Sequence, residues 1–99
     1  MGIEIALDEL LATGWPGLDS TGCSFDATGR AYPTVERVRQ EFAAAGFELT
    51  LTHNAQYNVH GAEWREAGSP TIAGSAVSRS QEEAAVYALA QLRRSLATA

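Results

Sequence analysis

Ninety-nine residues make one domain, long enough to bury roughly two thirds of the surface its unfolded chain exposes, so no disulfide or metal staple is required for folding. Twelve acids oppose seven bases, all of them arginine, and the formal charge of −5 disfavours a bulk basic footprint for nucleic-acid phosphates. The lone cysteine, Cys23, offers no disulfide framework, the start lacks a signal-peptide pattern, and no segment approaches the ~20 apolar residues of a membrane span, so a cytoplasmic protein is expected.

Ile3, Leu7, Leu10 and Leu11 fall on one helical stripe, with Asp8 and Glu9 opposite and Gly14 as a stop, which predicts a first helix within 1–13. Residues 14–31 hold Pro16 and four glycines. Two related tetrapeptides, Asp19–Gly22 and Asp26–Gly29, place Asp first and Gly fourth, as type I turns do. This stretch is read as a Gly-rich loop with a short extended Cys23–Phe25 between two turns.

A second helix is predicted over about 33–45, with Pro33 in its first turn, Val35, Val38 and Phe42 as its stripe and Gly46 as its C-terminal cap. Phe47, Leu49 and Leu51 alternate with Glu48, Thr50 and Thr52, the period of a strand with one buried face. A turn is placed at 53–56. The second strand is predicted over 57–65, where Gly61 interrupts the alternation in the manner of a bulge, and the third over 71–77, whose Ala and Gly content implies close packing.

Ser80 to Leu96 is the clearest element, with Ala85, Leu89, Leu92 and Leu96 on one face and a capping box made by Ser80 and Glu83. Short connections between strands favour an antiparallel meander. The expected fold is α+β, a three-stranded antiparallel sheet packed on helices in two layers, in the order α-α-β-β-β-α. Its α-β-β-β-α core is expected to span 32–96.

The run Tyr32-Pro33-Thr34 opening a helix, Gly46-Phe47 entering a strand, a Tyr-bearing hairpin, the final AAVYALAQLRR helix and Gly14-Trp15 near the start together resemble the small phage "ABA sandwich" domain family. That resemblance implies a three-stranded sheet between helices and a phage or prophage origin. The segment 74–80 leading into the last helix is also similar to the strand–helix junction of the double-stranded-RNA-binding domain. That module uses lysines there, whereas this chain has Arg79 followed by Glu82 and Glu83, so shared architecture is expected rather than RNA binding.

No motif carries catalysis. The two Asp-led tetrapeptides are read as turns and not as a carboxylate pair, Cys23 as a small packed hydrophobe, and His53 and His60 as turn and strand residues whose spacing matches no compact metal-ligand set. No cofactor or metal is expected. Trp15 and Trp64 are candidate interface anchors, one of the two being expected in the core; Trp15, in a Gly-Pro loop, is read as an exposed or capping aromatic, and Tyr57, His60 and Trp64 are assigned to an outer sheet face. With the acids Asp19, Asp26, Glu63 and Glu66 they form the expected partner-binding set. The acids Glu36, Glu41, Glu82 and Glu83 are further candidate phosphate mimics.

The function expected is non-enzymatic binding of a basic host protein complex, as an anti-CRISPR-type inhibitor would do, by a monomer or homodimer. A double-stranded-RNA-binding-like module and a phage structural or assembly protein are the alternatives.

Overall fold

A computed structural model describes residues 3–15, 23–25 and 29–98. The first apolar stripe folds as α1 (Ile3–Leu11), which buries Ala6, Leu7 and Leu10 completely. It ends where Gly14 takes a φ of +88°, a conformation that glycine adopts without a Cβ clash.

The short extended stretch expected within the loop is the strand β1 (Cys23–Phe25), and it pairs antiparallel with an unexpected strand, β2 (Ala31–Pro33), that straddles the end of the expected loop, with Ser24 opposite Tyr32. The three residues of β2 are too few for a period-2 pattern to register, which is why the sequence does not announce it. The turns at Asp19–Gly22 and Asp26–Gly29 fall largely outside the described residues.

Pro33 is not in the first helical turn; it is buried at the end of β2. Thr34 caps α2 (Val35–Ala44) instead, its hydroxyl accepting the Arg37 N–H at 3.3 Å and so satisfying an orphan donor of the first turn. At the other end Ala45 is the C-cap and Gly46, at φ +87°, turns the chain into the sheet.

β3 (Phe47–Asn54), β4 (Val59–Glu66) and β5 (Gly74–Ser78) form the antiparallel meander β3-β4-β5. Leu49, Trp64 and Gly74 share one row of its inner face, and Leu51, Ala62 and Ala76 the next. Gly61 forms no bulge. It pairs in register with Thr52 and Val77, and a Cβ there would lie 2.6 Å from Thr52 Oγ1, so glycine clears room for that hydroxyl. Gly74 answers the close packing expected of the third strand, since the Trp64 ring lies over it and an added Cβ would sit 2.3 Å from Cζ2.

α3 (Gln81–Thr98) departs from the one-sided helix the sequence suggests. Ala84, Ala85, Val86, Ala88, Leu89, Ala90 and Leu92 are all buried, covering most of its circumference, while Leu96 is exposed. The reason is a second neighbour. α1 packs on α3, and α3 together with α2 packs on the sheet, so α3 lies at the centre of the single core. The observed order is therefore α-β-β-α-β-β-β-α, with the α2-β3-β4-β5-α3 unit at 35–98 close to the expected core.

The capping box forms in part. Ser80 Oγ accepts the Glu83 N–H at 3.1 Å, but the Glu83 carboxylate accepts from the Arg79 N–H at 3.2 Å and from the Ser78 hydroxyl rather than from Ser80. No helix, among the described residues, is long and apolar enough to cross a membrane.

Candidate functional site

The inner face of the sheet takes Phe47, Leu49, Leu51 and His53 from β3, whose odd-numbered positions face the helices, with their β4 partners Glu66, Trp64, Ala62 and His60. Side-chain parity decides the rest. The outer face consequently presents Glu48 beside Arg65, Thr50 beside Glu63 and Ser75, and Thr52 beside Gly61 and Val77. These residues are exposed or half-buried, and no described helix covers them. Thr50, Thr52, Gly61 and Ser75 are small, so the face is a flat platform of hydroxyls, with Glu48, Glu63 and Arg65 as its charges and an exposed Val77 as its apolar point.

The free edge of β3 is guarded by α2, because Arg39 donates from Nη1 to the Leu49 carbonyl at 3.1 Å.

Three of the expected partner-binding residues are corrected by this geometry. Trp64 is 5 % exposed, tilted against Phe42 with ring centroids 5.5 Å apart; it is core, not an outer-face anchor. His60 lies on the same inner side. Trp15 is buried as well, with the guanidinium carbons of Arg37 and Arg93 at 5.3 and 5.5 Å from its ring centroid. Desolvated cation–π contact therefore accounts for an aromatic in a Gly-Pro segment that sequence reasoning left exposed.

Tyr57 is exposed at the tip of the β3–β4 hairpin and not on the outer sheet face, since the turn takes it out of the strand; Glu63 is half-buried on the outer face, whereas Glu66, exposed at the end of β4, has the parity of the inner face. Asp19 and Asp26 lie outside the described residues. Among the candidate phosphate mimics, Glu36 and Glu82 are exposed, Glu41 is paired with Arg37 at 3.0 Å, and the buried Glu83 serves the start of α3.

The hairpin turn is at 55–58, two residues later than expected. Asn54 Oδ1 accepts from the N–H groups of Gln56 and Tyr57 at 3.0 and 3.3 Å, an Asx turn that lets β3 run on through His53 and Asn54. That shift brings together two residues the sequence kept apart, since His53 now stands directly opposite His60. Asn54 was the available signal, because its side chain is a turn initiator. The outer-face hydroxyls of Thr50, Thr52 and Ser75 were missed because exposed Thr and Ser are ordinary strand residues. No protein-family model, characterised protein or solved structure matches the chain, so its function rests on the chemistry of its own surfaces.

Proposed function

We propose that the domain is a non-enzymatic binding module that docks a protein partner on the outer face of its three-stranded sheet. The observation that carries this reading is the flat, helix-free platform formed by Thr50, Thr52, Gly61, Glu63 and Ser75, bounded by Glu48, Arg65 and Val77. Short side chains on a rigid sheet lose little conformational entropy when covered, which favours their use as a docking surface. The charge of −5 and the exposed Glu36, Glu48, Glu66 and Glu82 suit a basic partner, with attraction speeding encounter more than deepening affinity. A host nucleic-acid machine with a basic groove, of the kind blocked by anti-CRISPR proteins of phages and prophages, is the partner class that fits this charge.

The test is capture from a bacterial lysate containing a CRISPR effector, using the tagged protein and its Glu48→Lys/Glu63→Lys variant, with and without nuclease. A basic complex retained after nuclease by the wild type and lost from the variant is the expected result. Retention by both proteins would overturn the outer-face reading. Loss on nuclease treatment would favour the nucleic-acid-binding alternative, for which the α2-β3-β4-β5-α3 order is the supporting observation.

A further inference from the structure

His53 and His60 are a cross-strand pair at the hairpin end of the sheet, where His53 is exposed and His60 half-buried. Their imidazole rings stack with centroids 4.2 Å apart and planes 13° from parallel. Among the described residues no group hydrogen-bonds either ring, so the ring nitrogens are open to a ligand.

Ligand chemistry selects what fits between them. A divalent transition ion bonded to two imidazoles at tetrahedral angles holds their nitrogens about 3.4 Å apart, given Zn–N bonds near 2.1 Å. The register that sets His53 opposite His60 brings the two rings to 4.2 Å, centroid to centroid, but while they are stacked their nitrogen lone pairs run side by side in separate planes. Turning a nitrogen of each ring toward one ion takes the rings out of the stack by rotation about χ1 and χ2, for which the exposed His53 has room.

We propose that His53 and His60 form a two-imidazole chelate for a divalent transition metal ion, Zn2+ or Cu2+. Imidazole favours these ions over Mg2+ and Ca2+, which prefer oxygen. Ser78 stands opposite His60 on the other flank, but its hydroxyl is given to the Glu83 carboxylate, so it is not a ligand. Among the described residues no third His, Cys, Asp or Glu completes the set. The remaining positions on the metal are taken by water, which makes the site an open one. Because the two ligands come from neighbouring strands, the ion ties β3 to β4 and stabilises the folded chain in proportion to its occupancy.

The experiment is calorimetric titration of the untagged full-length protein with Zn2+, repeated with Cu2+, alongside thermal unfolding with and without the metal. The wild type is expected to bind one ion per chain and to melt at a higher temperature when the ion is present. His53→Ala, at an exposed position, is expected to fold normally and to weaken binding roughly a hundredfold, since losing one ligand abolishes the chelate. His60→Gln is expected to do the same, and Cys23→Ser to leave binding unchanged. Wild-type affinity in His53→Ala, loss of binding in Cys23→Ser, or no binding by the wild type at millimolar metal would each overturn the proposal.

Discussion

The two sides of α3 are held by different physics. Toward the sheet, contact is a matter of shape: Trp64 lies between Phe42 and the bare backbone of Gly74, with Ala62 and Ala76 leaving room for α3. Toward α1, the buried Ala6, Leu7 and Leu10 supply the apolar contact, but its rim is polar and long-range. There Arg93 Nε donates to Thr13 Oγ1 at 2.9 Å, Arg94 pairs with Glu9, and the guanidiniums of Arg37 and Arg93 flank the Trp15 ring. A close-packed interface resists small changes of volume, whereas a polar rim gives way one contact at a time. The sheet side is thus the rigid scaffold beneath the proposed platform, and the α1 side is an adjustable attachment.

The comparison breaks first at Trp64. Trp64→Ala removes the largest side chain of the sheet-side core, and a loss of about 3–5 kcal/mol in denaturant unfolding is expected. Gly74→Ala comes next. Its Cβ would lie 2.3 Å from Trp64 Cζ2, so the indole must shift, at a cost of about 1–3 kcal/mol. The cost should shrink when Trp64 is also replaced by Leu, because a double-mutant cycle isolates contacts between touching residues. Gly61→Ala provides the contrast on the outer face, where the crowded atom is a threonine hydroxyl with solvent to turn into. A destabilisation by Gly61→Ala equal to that of Gly74→Ala would contradict the assignment of the two faces.

The same division explains what the sequence makes legible. α2, the alternation of β3 and the start of α3 all announce themselves through neighbouring residues, as Val35-Val38-Phe42 with Gly46, Phe47-Leu49-Leu51 and Ser80-Glu83 do. β4 is different, because the small Gly61 and Ala62 blur its period and the side taken by Trp64 and His60 is fixed only by register with β3. α3 carries alanines around most of its circumference, and a helix covered from two directions has no single stripe to find. The burial of Trp15 depends on Arg37 and Arg93, distant in the chain, so no local pattern could reveal it.

On the α1 side, Arg93→Met retains the apolar stem and removes both the hydrogen bond to Thr13 and the cation–π contact with Trp15. It should cost about 1–2 kcal/mol, and the loss should persist in salt because Trp15 is buried. The smallest effect belongs to Arg94→Ala. The Arg94 and Glu9 side chains are 49 % and 44 % exposed, so water screens the pair and holding two long side chains offsets part of the attraction. A loss of at most about 1 kcal/mol is expected at low ionic strength. In roughly 1 M salt, where the screening length falls to about 3 Å, the difference from wild type should vanish. Unfolding curves for both variants at the two salt concentrations separate the contributions of the rim. If Arg94→Ala kept its full cost in high salt, the pair would belong to the packed interior, and the α1 side would be as rigid as the sheet side.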